Sequence, residues 1–161
     1  MALIIGISTN DTDAAVKAVI ATLVGLVNHL QKWRASINAS SSVSGSETEL
    51  VYQHLTSART LVQAKVAASQ GAALTAAYLR QFENVPANYD VGAEWATSTA
   101  VIGALITWIR DSWPHKTSNG HPAWSQFSAG TGELADLTVA LSGAAKTSVL
   151  ANIDAVLATF S

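Results

Sequence analysis

Cysteine is absent from this chain of 161 residues, which removes disulfides, thiolate nucleophiles and most zinc sites together and leaves the redox compartment undetermined. Charge is scarce as well. Asp, Glu, Lys and Arg make up 12% of the residues, against a usual share of about 25%, so the surface must be built from Ser, Thr, Ala, Asn and Gln rather than from ions. Nine basic residues against 11 acidic ones give a net charge of −2. No run of Lys or Arg could follow a phosphate backbone, so direct nucleic-acid binding is not expected. Long hydrophobic runs are also missing. The two most apolar stretches, 14–27 and 92–109, are interrupted or flanked by Lys17, Lys32, Arg34 and Glu94, and each falls short of the roughly 20 apolar residues that a membrane span needs. The opening MALIIGIS carries no basic leader and soon meets polar Ser8, Thr9, Asn10 and Asp11, so a secretory signal is not expected.

What is present is helical periodicity, in a chain of the length of one domain. Residues 90–113 organise it. Val91, Trp95, Ser98, Ile102, Leu105, Ile109 and Trp113 recur at gaps of three and four, which draws one apolar stripe on a 3.6-residue period. Ala96, Ala100 and Gly103 form a second strip of small residues, which predicts close backbone approach by a neighbour. Asp90 reads as the N-cap and Pro114 as the stop. A helix apolar on most sides is expected in the middle of a bundle.

In chain order, residues 1–9 contain an apolar, β-branched segment that reads as a strand or as an arm laid on a neighbouring subunit. A long first helix is expected from about residue 10 to Ile37, with Val16, Ile20, Leu23, Val27 and Leu30 inward and Val19, Leu26 and Trp33 widening that face. Residues 38–46 (NASSSVSGS) read as a Ser-rich solvated loop. Ser46 and Glu49 fit a capping box, so a second helix should begin at Glu47, with Val51, Leu55, Ala58, Val62 and Val66 buried. Residues 72–83 read as a shorter third helix, ended by Pro86. After Pro114 the pattern changes. An Asn119-Gly120 turn, aromatic residues at 124 and 127, and AGTG before Leu134 predict a small hairpin in the 114–141 region, with a helix from Glu133 as the competing reading. Ser142 should cap a last helix facing inward through Val149, Ile153, Val156, Leu157 and Phe160. The expected fold is therefore mainly α: one bundle of four to five helices over 1–161, with a β-hairpin near the C-terminal third.

The residues that could carry chemistry are dispersed. His29, His54, His115 and His121 form neither HExxH nor a short His-x-His pair, there is no Gly-x-Ser-x-Gly elbow, and no glycine-rich phosphate loop follows a strand. The acid pairs Asp11/Asp13 and Glu47/Glu49 sit at helix starts, where the dipole explains them. No catalytic residue, cofactor or metal is assigned. Leftover apolar surface is more informative. Leu3, Ile4, Ile5 and Ile7 lie outside any capped helix, while Trp113, Trp124 and Phe127 flank or enter the loop-rich region, where they either cover the chain's own core or anchor a partner. These seven are the candidate partner-binding residues.

The run YDVGAEWATSTAVIGALITWIRDSWP, followed by Asn-Gly, an aromatic hairpin-like segment and a Ser-capped helix ending VLANIDAVLATF, resembles a group of small helical proteins encoded among the structural genes of tailed bacteriophages. The likeness covers residue 47 to the C-terminus and rests on the Tyr-Asp-Val start, the Trp-Ile-x-x-x-aromatic-Pro end and the closing amphipathic helix. It implies a non-enzymatic virion component, in head decoration, neck or tail, assembled in the host cytoplasm. Its partners would be other virion proteins and copies of itself; the residues point to no membrane, and they identify no small-molecule substrate. It transfers no functional residue. The residues themselves leave a second class open, a small ligand-binding or enzymatic bundle with a pocket between Ala-lined helices.

Overall fold

The computed structural model describes residues 14–67, 91–127, 134–136 and 138–160. Four helices carry it: α1 (Ala14–Ser40), α2 (Gly45–Ala67), α3 (Val91–Ser112) and α4 (Gly143–Ala158). Four short strands accompany them: β1 (Ser42–Ser44), β2 (Ser125–Phe127), β3 (Leu134–Asp136) and β4 (Thr138–Ala140). The expected arm at 1–9 and the expected helix at 72–83 lie outside the described residues. No described helix is long and apolar enough to cross a membrane.

Each helix packs chiefly on two neighbours, α1 on α2 and α4, and α3 on the same two. Side-chain contacts give the directions. Ser36 meets Glu47 while His29 meets His54, so α1 and α2 are antiparallel. Arg34 meets Asp154 while Lys146 meets Asn38, so α1 and α4 are antiparallel as well. Thr48, at the start of α2, lies with Ile109 and Trp113 at the end of α3. The α1–α2 and α3–α4 connections therefore close at the same end of the bundle, and all four strands belong to those connections or border them.

The buried rows have the alternating three and four spacing of bundle seams. On α1 the row is Leu23, Leu26, Leu30, Trp33 and Ile37; on α2 it is Thr48, Val51, Leu55 and Ala58; on α4 it is Val149, Ile153 and Val156. On α3 the expected stripe is buried from Ser98 through Ile102, Leu105 and Ile109 to Trp113, with Ile106 beside it. The Trp95 side chain lies outside the description. Ser98 is wholly buried and its Oγ has no hydrogen-bond partner. A desolvated hydroxyl without a partner costs stability, so Ser98→Ala should be neutral or stabilising by up to about 1 kcal/mol in urea denaturation.

The small-residue strip behaves differently from its sequence reading. Ala96 and Ala100 are exposed, as are Ala104 and Thr107 further along the same face, so no neighbour approaches there within the described residues. The reason is the arrangement of the bundle: among the described residues α3 packs chiefly on two helices rather than inside a surrounding ring, and Ala96, Ala100, Ala104 and Thr107 are left exposed. A Cβ built on Gly103 meets nothing within 4 Å, and one built on Gly25 makes only ordinary contact with the His54 ring at 3.8 Å. Gly103→Ala and Gly25→Ala should each stabilise by about 0.5–1 kcal/mol through lower unfolded-chain entropy, seen as a rise in melting temperature. A fall for Gly103→Ala would mean that the strip is packed against something after all.

Residues 38–46 are also not the solvated loop that their serines suggest. The first helix runs on to Ser40, Ser41 turns the chain with φ 51°, and β1 follows at once. Val43 is buried and pairs with Val139 of β4 in an antiparallel register. α2 starts at Gly45 rather than Glu47, with Ser44 accepting the Glu47 N–H at 3.3 Å. The cap thus sits two residues before the expected Ser46. Ser142 caps α4 as expected, accepting the Ala145 N–H at 3.1 Å. The hairpin expected after Pro114 is present as β2 paired with β3, Phe127 opposite Leu134.

Between α1 and α2 the imidazoles of His29 and His54 stack with centroids 4.1 Å apart and planes 24° from parallel. Burial, and then the neighbouring His29, lower the pKa of His54 below the ordinary histidine value. A histidine whose folded pKa is depressed binds its proton more readily in the unfolded chain, so folding stability falls as pH drops through about 6.5 toward the folded value. Thermal melts should show a lower midpoint at pH 5 than at pH 7.5, and His54→Gln should shrink the difference.

Candidate interaction surface at one end of the bundle

The end where both connections close is held by two lysines supplied from outside the helices they cap. α1 has no basic residue in its last turn, yet the Lys146 ammonium from α4 donates to Asn38 O at 3.0 Å and Ser41 Oγ at 2.8 Å. Lys116 donates to the carbonyls of Arg110 and Trp113 at the end of α3, the latter at 2.9 Å. A cation at a helix C-terminus satisfies orphan carbonyls and opposes the negative end of the dipole. These contacts fix where β1 and the loop after Pro114 leave the bundle.

That loop folds on itself. Lys116 bridges Pro122, the Thr117 N–H donates to His121 O at 2.8 Å, and the Gly120 N–H donates to Thr117 O at 2.9 Å. Gly120 has φ 76°, and Ser41 is the only described non-glycine residue with positive φ. The left-handed position of the Asn119-Gly120 turn is thus the glycine, as in a three-residue hairpin loop with a bulge. The loop then returns to the bundle through tryptophan. The Trp113 indole N–H donates to Ala123 O at 2.5 Å. The Trp113 and Trp124 rings are 5.3 Å apart, and Trp124 lies 5.4 Å from Tyr52 of α2.

The candidate partner-binding residues accordingly separate. Leu3, Ile4, Ile5 and Ile7 lie outside the described residues. Trp113 is buried, with its N–H satisfied and its ring covered; of the two roles open to it in the sequence, it takes the one in the chain's own core. Trp124 is half-buried on that core, beside Tyr52 and Trp113. Phe127 lies in β2, and its side chain is outside the description. Tyr52 and Trp108, both half-buried against the core, belong to this end too. The sequence does not single out Tyr52, which comes next to Trp124 only through the tertiary fold.

Beside the aromatic group a shallow, apolar cleft opens between the β1/β4 ribbon and α3, lined by Val43, Trp108, Ile109, Trp113, Val139 and Leu141. Its closed part has room for about one water- or methyl-sized group, which is too little for an organic ligand. The ribbon has one closed edge and one open edge. The carbonyls of Ser42 and Ser44 accept the hydroxyls of Ser40 at 3.3 Å and Thr48 at 2.6 Å, which occupies the outer side of β1. On the inner side, the Leu141 N–H donates to Ser41 O at 2.9 Å. Bonded pairs alternate along an antiparallel ladder, so Val43 and Val139 form the next one, and Thr138 and Ala140 direct their N–H and C=O groups away from β1. Among the described residues no strand pairs with that outer edge of β4.

Electrostatics contribute little here. The Arg34 guanidinium grips Asp154 through Nε at 2.7 Å and Nη2 at 3.2 Å; its hydrogen bond holds the Asp154 carboxyl below the usual carboxylate value. The two side chains are 39% and 52% exposed, so the pair orients α4 on α1 more than it stabilises the fold. Among the described residues, no group of three or more His, Cys, Asp or Glu converges as a metal site requires. No protein-family model, curated protein or solved structure matches the chain.

Proposed function

We propose that this chain is a non-enzymatic structural protein of a bacteriophage virion, a head decoration, neck or tail accessory component, acting through contacts with copies of itself and with other virion proteins. The observation that carries the reading is the concentration of half-buried aromatics, Tyr52, Trp108 and Trp124, around an apolar cleft at one end of the bundle. Aromatic anchors beside a small desolvated pocket are the parts from which protein interfaces draw most of their energy. A surface poor in charge, with 12% ionic residues in the chain, removes much of the desolvation cost that would oppose such contacts. The sequence resemblance to phage structural proteins supplies the particle.

Light scattering and electron microscopy of the purified chain at rising concentration test the assembly part. Rings, tubes or lattice patches are expected. A chain that stays monomeric throughout and binds a small molecule stoichiometrically would put the ligand-binding bundle in its place. Co-sedimentation with intact particles from a host that carries the gene tests the virion part, and its absence from those particles would sink it.

A further inference from the structure

We infer that residues 2–7 of a second copy of this chain add a third strand to the outer edge of β4, with Leu3, Ile5 and Ile7 facing the apolar cleft. The inference rests on the assembly reading above and names the two surfaces that meet.

The receptor is defined by the backbone. Thr138 and Ala140 turn their peptide groups outward, and an incoming extended segment gains main-chain hydrogen bonds from such an edge. Residues paired across a ladder point to the same face, so a residue set opposite Val139 lies over the cleft that Val139 lines. The segment 2–7 fits that requirement. Its period-two alternation puts Leu3, Ile5 and Ile7 on one face and Ala2, Ile4 and Gly6 on the other, and it carries no charge to be desolvated. A branched aliphatic side chain can place a methyl in the closed part of the cleft and rest the remainder on Trp108 and Leu141.

Chain length excludes the chain's own edge. α1 has 27 residues and so is about 40 Å long, and β4 pairs with β1, which begins at Ser42, just past the far end of α1 at Ser40. Ile5 precedes Ala14 by nine residues, which span at most about 32 Å when fully extended. Ile7 reaches less far. An arm that pairs with this edge therefore comes from another copy. A contact that joins opposite ends of two copies is heterologous when it repeats head to tail, and such contacts build rings or filaments.

The absence of cysteine makes the test direct. A chain with Ile5→Cys is mixed under oxidising conditions with a chain of different mass carrying Val139→Cys, and compared with a partner carrying Thr147→Cys on the exposed side of α4. The expected result is a mixed disulfide with the first partner and loss of that product with the second. A disulfide that closes within one chain when both substitutions share it, or equal products with the two partners, overturns the inference. A second arm uses Ala140→Pro, which removes an outward N–H and spares the Val43–Val139 pair. Added to a chain lacking residues 2–7, a synthetic peptide of residues 1–9 should change tryptophan fluorescence, and this response should be lost with Ala140→Pro. An unaltered response to the peptide in that variant also overturns the inference. If the full chain assembles but deletion of 2–7 leaves assembly intact, the arm is wrong and the assembly reading stands. A full chain that never assembles defeats both.

Discussion

Replacing Trp33 by alanine should cost this bundle about 3–5 kcal/mol, the range for removing a buried tryptophan or phenylalanine. Trp33 is the largest fully buried side chain among the described residues, 1% exposed between Leu30 and Ile37 in the α1 seam. The ring lies one seam position from Leu30 and from Ile37, so its loss opens a cavity that neighbours fixed on regular helices cannot collapse into. A second feature makes the position diagnostic. The indole Nε1 is buried without a hydrogen-bond partner, and a desolvated donor left unpaired costs about 1–3 kcal/mol. Trp33→Phe removes that donor while keeping most of the ring, so it should lose less than half of what Trp33→Ala loses. Urea denaturation of the three proteins measures both differences. Equal losses for the two variants would mean that the indole N–H finds an acceptor in solution and that the orphan donor is not real.

The seam containing Trp33 was legible in the sequence because it depends on spacing along one helix. Leu23, Leu26, Leu30 and Trp33 were all expected inside, as were Ile102, Leu105 and Ile109 on α3 and Val149, Ile153 and Val156 on α4. Ser142 was legible as a cap for the same reason: a capping side chain and its partner N–H are three residues apart. The β1 strand was not. Ser42–Ser44 holds one apolar residue, and what makes it a strand is β4, far along the chain. Once β1 ends at Ser44, the serine there becomes the cap, although Ser44/Glu47 and Ser46/Glu49 present the same capping pattern to a reader of sequence. Alanine is ambiguous in another way. It suits close helix packing and exposed helix surface equally, so only the placement of the four helices puts Ala96, Ala100 and Ala104 in solvent.

The candidate site divides along the same line. Trp113 was visible as the last residue of a helical stripe, but its hydrogen bond to Ala123, its contact with Trp124 and the approach of Tyr52 join residues of the loop, α3 and α2. The open edge of β4 depends on which peptide groups β1 uses, a matter of register that no local pattern encodes. The same holds for His29 and His54, which stack across two helices. Lys146 likewise acts as a cap only because the end of α1 comes to it.

Trp113→Ala should therefore do two things at once, lowering global stability by about 3–5 kcal/mol and releasing the loop that follows Pro114. The first effect comes from a ring that is 3% exposed and packed among Ile109 and its neighbours. The second comes from geometry. Trp113 is the hinge between α3 and the loop, and its indole N–H is the side-chain hydrogen bond that ties Ala123 back to the bundle. Without it, Ala123 O loses its donor and Trp124 loses one of its two aromatic neighbours among the described residues. Trp113→Phe separates the effects, since it retains most of the packing and deletes only the hydrogen bond, at a cost of about 1 kcal/mol. Amide hydrogen exchange reads the loop directly: the N–H groups of Thr117, Gly120 and Ala123, all hydrogen-bonded within the loop, should lose protection in Trp113→Ala before the helices do. A double-mutant cycle with Trp124→Ala should return a coupling of about 0.5–1.5 kcal/mol, as for other tilted aromatic pairs. Additive losses would show that the rings are neighbours without being partners. Trp124 would then be held by Tyr52 and the core rather than by Trp113.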